Sequence, residues 1–284
     1  MKLKGTVAIV TGASKGIGRC IAETFAREGC SLTIVSRNLE EIVAAGKEIE
    51  KHGVDVLALK CDVSQQEDVK GMVDATIEKY GKIDILVNNA GIYGPLGPFV
   101  DNSPEDWRQT IEINLLGTVN CARFVLPHMI AARKGKIINL SGGGAGGPPT
   151  PTLSAYFTSK VAVAAFTEIL AVEVKEFNIQ VNAIAPGAVN TRLLDQVLAA
   201  ADKVDRKFLE KSIQQKETGG IPPQKAADLA LFLASDESDG ITGKLLSAVW
   251  DDYRSFSKLP ESIRSSSIYT LRRIDEKLFK EVQS

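Results

Sequence analysis

The chain is poor in the residues that build metal and disulfide sites. It has four cysteines, Cys20, Cys30, Cys61 and Cys121, none in a C-x-x-C pair, and only two histidines, His52 and His128. These spacings exclude the usual zinc motifs and a disulfide framework, so free thiols, buried or half-buried, and no metal site are expected. An excess of one charge is lacking as well. The net charge is −1 over 284 residues, and no basic surplus points to nucleic acid. No long hydrophobic run opens the chain: Met1-Lys2-Leu3-Lys4-Gly5 leads into a short apolar stretch that Gly12 interrupts. That is too short for a signal core or a membrane span, and a cytoplasmic protein without membrane partners is the default expectation. Internal repeats are missing too, and the one biased stretch is a Gly/Pro-rich loop from Gly142 to Pro151.

What is there reads as an ordinary globular chain, 44% hydrophobic and 24% charged. Its length suits one α/β domain with a tail. Short Val- and Ile-rich runs cover Val7 to Thr11, Ser31 to Ser36, Val54 to Lys60, Ile83 to Asn88, Lys136 to Ser141, Ile179 to Ala185 and Lys244 to Val249. Between them lie segments of helical period, such as Leu39, Ile42, Val43, Gly46 and Ile49. This alternation predicts an α/β fold, a doubly wound parallel sheet of about seven strands with helices on both faces. Ser64-Gln65-Gln66-Glu67 reads as a capping box opening the third helix, and Ser103-Pro104-Glu105-Asp106 as an N-cap with Pro at N1. From Asn190 to Gly219 the periodicity is again helical, through Leu193, Leu194, Val197 and Leu198, and Gly219-Gly220-Ile221-Pro222-Pro223 breaks it. Such an excursion is expected to be a lid over a site. The division that follows is residues 1–250 as the body, with the lid at about 190–219, and 251–284 as an extension. In the extension Ile268, Leu271, Ile274, Leu278 and Val282 keep near-helical spacing. The segment either docks on the body or a neighbouring subunit, or stays a solvated, frayed helix.

Two local patterns carry chemistry. Thr11-Gly12-Ala13-Ser14-Lys15-Gly16-Ile17-Gly18 follows the first strand and opens a helix, where glycines let the backbone approach a pyrophosphate held by free N–H groups. Its G-x-x-x-G-x-G spacing differs from the common dinucleotide fingerprint, and no G-K-[ST] ending makes it a mononucleotide loop. Tyr156 and Lys160 stand at i and i+4 at the head of a long helical segment, so they share one face. A phenol titrates near pH 10, and an adjacent ammonium favours its ionised form, which would suit it to proton transfer near neutrality.

In order along the chain come the glycine turn, Asn88-Asn89-Ala90-Gly91, Tyr156-x-x-x-Lys160 and Pro186-Gly187-Ala188-Val189-Asn190-Thr191. Together they resemble the short-chain dehydrogenase/reductase family over roughly residues 5 to 248, in its single-domain Tyr-x-x-x-Lys branch. The resemblance implies a Rossmann-like fold and an oxidoreductase that interconverts a secondary alcohol and a ketone. It implies dinucleotide contacts at Gly12, Ser14, Lys15, Gly16, Ile17 and Gly18, at Asp62 and Val63, at Asn89, at Tyr156 and Lys160, and at Pro186, Gly187, Val189 and Thr191. It further implies Tyr156 as proton donor and acceptor, Lys160 lowering its pKa and holding the ribose, and Asn114 in the proton relay. A small-molecule carbonyl or alcohol as substrate and a homodimer or homotetramer follow by resemblance only. Where the family often ends in a Val-Asp-Gly-Gly strand, this chain has Leu245 to Tyr253 of another pattern, which bears on the usual end-to-end subunit packing.

Cofactor choice is readable from charge. An acid at the end of the second strand would bind a ribose 2′-OH and repel a 2′-phosphate, whereas Arg pairs with the phosphate. Ser36-Arg37 stands there, with Lys15 nearby, so NADP(H) is expected in preference to NAD(H). One position departs from the family. The catalytic serine usually stands thirteen residues before the tyrosine, which is Gly143 here, and aligning on the strand puts its column on Gly142. Three readings are open: Ser141 takes the role from one place earlier; a substrate hydroxyl, a water, Thr152 or Ser154 donates instead; or the donor is lost. The last allows a slow enzyme, or a non-catalytic NADP-binding protein with a regulatory job.

Overall fold

Seven strands were expected from the apolar runs, and the computed structural model, which describes residues 1–142, 145–147, 149–258, 261 and 266–272, has seven in one sheet. They are β1 (Val7–Thr11), β2 (Ser31–Ser36), β3 (Val56–Lys60), β4 (Ile85–Asn88), β5 (Gly135–Leu140), β6 (Ile179–Ala185) and β7 (Leu245–Ser247). All pairings are parallel, in the order β3-β2-β1-β4-β5-β6-β7. Every residue of β1 and β5 is buried, as a parallel sheet covered on both faces requires. The helices are α1 (Gly16–Arg27), α2 (Leu39–Glu50), α3 (Gln66–Tyr80), α4 (Pro104–Ile111), α5 (Gly117–Ala132), α6 (Ser154–Glu173), α7 (Arg192–Ala199), α8 (Arg206–Thr218) and α9 (Pro223–Ala234). One core layer, with Phe25, Ile42 and Phe232, lies under α1, α2 and α9. The other, with Met72, Val125 and Leu170, lies under α3, α5 and α6.

Because β1 pairs with β2 on one side and with β4 on the other, the chain leaves β1 in opposite directions and opens a crevice at the strand C-termini. Two helix starts illustrate how local chemistry sets the elements around it. Ser103 caps α4, its hydroxyl accepting from Asp106 N at 3.3 Å, as expected. The expected capping box at Ser64 does not form: α3 begins at Gln66, and Gln65 in the cap position makes no capping bond among the described residues, its Nε2 donating to Ser64 Oγ. Asp62 intercepts Ser64 instead. Its Oδ1 accepts from Ser64 N at 3.0 Å and Ser64 Oγ at 2.7 Å, a local turn that competes with the cap. The expected lid resolves into two helices, α7 and α8, capped by Thr191 and Asp205.

The described part of the tail docks on the body. Phe256 is 2% exposed and joins the same core layer as Phe232 and Leu246. Its ring meets Tyr269 at 4.7 Å between centroids. Leu245 N donates to Tyr269 O at 2.7 Å, so this segment continues the backbone bonding of the β7 edge. Lys244 Nζ donates to Ser266 O and Ile268 O, and Leu271 N donates to Glu168 Oε1. The helical spacing expected at Ile274, Leu278 and Val282 falls outside the described residues. The thiols are free, Cys20 half-buried and the others buried, and burial pushes Cys30 and Cys61 up to about 12.

Candidate active site

The glycine turn is shaped by contacts that a side chain would block. Gly12 has φ +65, and a Cβ there would stand 2.9 Å from Ala90 Cα and from Asn89 Nδ2. A Cβ on Gly18 would fall 2.3 Å from Asn89 Nδ2 and 2.6 Å from Gly12 O. Asn89 fills that space as a brace: its Nδ2 donates to Thr11 O at 2.8 Å and Gly12 O at 3.1 Å, tying the turn to the end of β4. Among the described residues no side chain caps the N-terminus of α1, which leaves its first N–H groups without a capping partner. That combination fits a pyrophosphate.

Beside the turn lies a cleft of about 370 Å³. Of the expected dinucleotide residues, Gly12, Ser14, Arg37, Asp62 and Val63 form its walls. Lys15 is turned aside, its Nζ 2.6 Å from Glu41 Oε1, and that pairing holds the exposed Glu41 carboxyl below its usual range. Gly16 has φ +58 and packs toward Thr191, whose Cγ2 would stand 3.4 Å from an added Cβ. Pro186, Gly187 and Val189 stand away from these walls, Gly187 with φ +84 facing Val249. Ile17 is half-buried and packs against the core layer under α1. Glu41 and Arg192 also line the cleft and were not anticipated. Glu41 sits one helical turn into α2, past the range where a strand-end rule looks, and Arg192 directly follows Thr191.

Gly91 links the cleft to the acid–base residues. It is a wall of the cleft, and a Cβ there would lie 3.1 Å from Asn114 Oδ1 and 3.5 Å from Lys160 Nζ. Asn114 is fully buried in a wide π turn, Glu112–Leu116, between α4 and α5, a rare geometry that recurs at functional sites. Its amide is spent on positioning. Oδ1 accepts from Ile92 N at 2.8 Å, and Nδ2 donates to Ile92 O and to Ser159 Oγ, each at 2.9 Å. Ser159 in turn donates to Tyr156 O at 2.6 Å, locking the first turn of α6.

Lys160, 5% exposed, donates from Nζ to Leu140 O at 2.7 Å, and Nζ lies 5.9 Å from the centroid of the Tyr156 ring. Burial lowers its pKa to about 8. The Tyr156 phenol moves the other way. Burial raises it, with Tyr93 adding to the rise. The expected lowering of the phenol by Lys160 therefore does not hold in this geometry. Desolvation outweighs an ammonium that is itself desolvated and committed to a carbonyl.

Ser141 is 2% exposed, and its hydroxyl donates to Lys160 O at 2.8 Å, fastening the end of β5 to α6. Its proton is turned to the helix backbone. Gly142 lies against the phenol, where a Cβ would stand 3.2 Å from Tyr156 Oη and 3.3 Å from Lys160 Cγ. Gly143, Gly144 and Pro148 of the same loop lie outside the described residues. Thr152 is in the left-handed region at φ 68, rare for a β-branched residue. Its hydroxyl donates to Pro151 O at 2.6 Å and accepts from Asp205 N at 3.1 Å, joining this loop to the cap of α8. Ser154 Oγ accepts from Trp107 Nε1 at 3.2 Å. Tyr93, also unanticipated, stands edge-on to Tyr156 with centroids 4.6 Å apart and planes at 74°. No spacing rule links positions 93 and 156, so only the folded chain could reveal it.

Comparison with known proteins agrees with this geometry. The short chain dehydrogenase family model matches residues 6–202. The chain is 39% identical over 248 residues to oxidoreductase UcpA of Salmonella typhimurium, covering 85% of this chain and 92% of that protein. It is 36% identical over 248 residues to the 3-oxoacyl-[acyl-carrier-protein] reductase FabG of Thermotoga maritima, covering 87% and 97%. Among solved structures, NAD+-bound xylitol dehydrogenase superposes with a TM-score of 0.81 at 32% identity, covering 87% of this chain and 98% of that one. A 7α-hydroxysteroid dehydrogenase complexed with NADH and 7-oxo glycochenodeoxycholic acid gives 0.77 at 33% identity, covering 87% and 93%. With its glycine cradle at the β1/β4 switch point and its Tyr-x-x-x-Lys helix beside it, this chain is a member of the short-chain dehydrogenase/reductase family.

Proposed function

We propose that the protein is an NADP(H)-dependent oxidoreductase interconverting a secondary alcohol and a ketone, with Tyr156 as the proton donor and acceptor. The observation that carries this reading is the set formed by half-buried Tyr156 with buried Lys160, Asn114 and Ser159, which abuts the dinucleotide cleft through Gly91. Bound NADPH would supply the hydride. Every other step belongs to the chain. The open N–H groups of α1 and the turn Gly12 to Gly18 would bind the pyrophosphate, with Asn89 bracing the turn. Asp62 and Val63 would meet the adenine, and Pro186, Gly187, Val189 and Thr191 would flank the nicotinamide. Asn114 and Ser159 would orient α6, and Lys160 would hold the ribose.

A phenol that burial keeps protonated has a proton to give to a developing alkoxide in ketone reduction. In the reverse direction Tyr156 would act as base, which needs the Lys160 charge to shift toward it. The names of the relatives, dehydrogenases of polyols and hydroxysteroids and a reductase of 3-oxoacyl carriers, support chemistry at CH–OH and C=O groups.

NADP(H) over NAD(H) rests on charge. Arg37 and Arg192 line the cleft together with the acids Asp62 and Glu41, Lys15 borders it, and Glu41 is already paired with Lys15. A 2′-phosphate could displace that carboxylate from Lys15 and gain the cations, whereas a bare ribose would use none of them. Two neighbours were solved with NAD+ or NADH, so the test is direct. Arg37→Ala should raise the KM for NADPH about 10- to 100-fold, a loss of one charged phosphate partner, and leave the KM for NADH nearly unchanged. A preference for NADH in the unmutated enzyme would sink the NADP assignment.

The second reading, a non-catalytic NADP-binding regulatory protein, is favoured by one observation: Gly142 brings no hydroxyl to the phenol. NADPH consumption across ketones, aldehydes and acyl thioesters separates the two, since complete inertness with tight cofactor binding would favour the regulator. We further infer a cytoplasmic homodimer or homotetramer with residues 190–219 as lid. Exposed Val161, Ile169 and Val172 on α6, at 38%, 60% and 77%, give an apolar stripe suited to a second subunit. Light scattering on the purified chain would test this.

A further inference from the structure

A carbonyl oxygen that gains charge during reduction is best met by a second fixed donor beside the acid, and losing one such donor typically costs about 10² to 10³ in rate. Around Tyr156 the hydroxyls are already committed. Ser141 gives its proton to Lys160 O, Ser159 to Tyr156 O and Thr152 to Pro151 O. Ser154 is held by Trp107 and, two residues before Tyr156 on a helix, does not share its face. Gly142, whose Cβ position is a near neighbour of the phenol at 3.2 Å, has nothing to donate.

Tyr93 differs from all of these. Among the described residues its phenol makes no hydrogen bond, and neither does that of Tyr156. Its ring stands edge-on to the Tyr156 ring at 4.6 Å, and it follows directly on Gly91 and Ile92, which line the dinucleotide cleft. An aromatic pair explains the contact of the rings. It leaves both half-buried phenols with a donor that no group of the described residues uses and that is not shut off from solvent, so each takes its partner from outside the chain. A ligand oxygen received by both would supply it.

We infer that Tyr93 is a catalytic residue of this enzyme, donating a hydrogen bond to the same carbonyl oxygen that Tyr156 protonates, in the place a side-chain hydroxyl at position 142 would otherwise take. Bound NADPH would supply the hydride, which brings its electron pair to the carbonyl carbon and leaves NADP+. The C=O π pair moves to oxygen, and that oxygen takes the Tyr156 proton, leaving a tyrosinate to be reprotonated from solvent. The Tyr93 O–H bond stays intact throughout. Burial also raises the Tyr93 phenol, so it stays a donor at neutral pH.

This inference rests on the reductase reading above, and the test separates the two. Tyr93→Phe keeps the ring and removes only the hydroxyl. It should lower kcat/KM for ketone reduction about 10- to 10³-fold while the affinity for NADPH, read from cofactor fluorescence, and the melting temperature hold. Adding Gly142→Ser to Tyr93→Phe should recover at least tenfold. Adding Gly142→Ala, which brings the same crowding of Tyr156 Oη without a donor, should recover nothing. Tyr93→Phe within twofold of the unmutated enzyme, or equal rescue by Ser and Ala, overturns the role of Tyr93. If instead Tyr156→Phe is as active as the unmutated enzyme, or that enzyme is inert on every carbonyl tried, the reductase reading itself falls and takes this one with it.

Discussion

Replacing Lys160 by Met should change how stability depends on pH. Burial holds this lysine at about 8, against an ordinary value of 10.5, and it is only 5% exposed, so solvent screening takes little from the effect. The folded pKa lies below the unfolded one, so between those two values the unfolded chain binds more protons than the folded chain, and stability from this residue rises with pH. Below pH 8 both states are protonated, and the folded state bears the full cost of a buried ammonium. The gap between the two values corresponds to about 3 kcal/mol. Met fills a similar volume without charge. It forfeits the bond to Leu140 O, a cost that does not vary with pH. Urea denaturation of the cofactor-free protein and of Lys160→Met, at intervals from pH 7 to pH 10, measures the difference. Stability of the lysine form relative to the Met variant should climb by about 2–3 kcal/mol over that range. Stopping at pH 10 keeps Tyr156, whose phenol is raised, protonated in the folded state. A difference that stays flat to within about half a kcal/mol would refute the account, because it would mean the ammonium is not desolvated by the fold.

Other outcomes follow from the same contacts. Ser141→Ala removes one buried hydrogen bond to Lys160 O and should cost about 1 kcal/mol in urea melts with turnover within about threefold; a hundredfold loss of turnover would return Ser141 to the mechanism. Gly18→Ala drives a Cβ to 2.3 Å from Asn89 Nδ2, so either the turn or its brace must move. Dinucleotide affinity, followed by fluorescence titration, should drop at least about tenfold, and an unchanged affinity would contradict the cradle. Phe256→Ala empties a site that is 2% exposed and should cost about 3 kcal/mol; a loss below about 1 would mean the tail adds nothing to the body.

Much of the fold was legible because its signals are local. The Val- and Ile-rich runs mark the strands closely, with β3 and β4 starting at Val56 and Ile85 rather than at Val54 and Ile83. A parallel strand buried on both faces must be apolar throughout, and that pattern survives without knowing its neighbours. The Ser103 cap was also readable, since it needs only a hydroxyl and an N–H three residues on. The Ser64 cap failed by the same locality: Asp62, two residues earlier, accepts from both the N–H and the hydroxyl of Ser64 and holds it in a turn ahead of the helix. Of the candidate site, the residue types and their helix face could be read, and the state of their protons could not. Lys160 was expected to favour the ionised form of Tyr156, and the fold buries the ammonium and gives it to Leu140 O, while burial raises the phenol.

The sequence by itself determined the doubly wound parallel sheet, the glycine turn at its switch point and the pairing of Tyr156 with Lys160 on one helix. Each depends on a period or spacing along a single segment. Only the tertiary structure decided that Ser141 turns its proton to Lys160 O, that Gly142 lies against the phenol with no side chain, that Tyr93 stands beside Tyr156, and that Phe256 and Tyr269 bind the tail to β7. Those are contacts between segments far apart in the chain. Their direction is set by how helices, loops and strands pack, which no single segment contains.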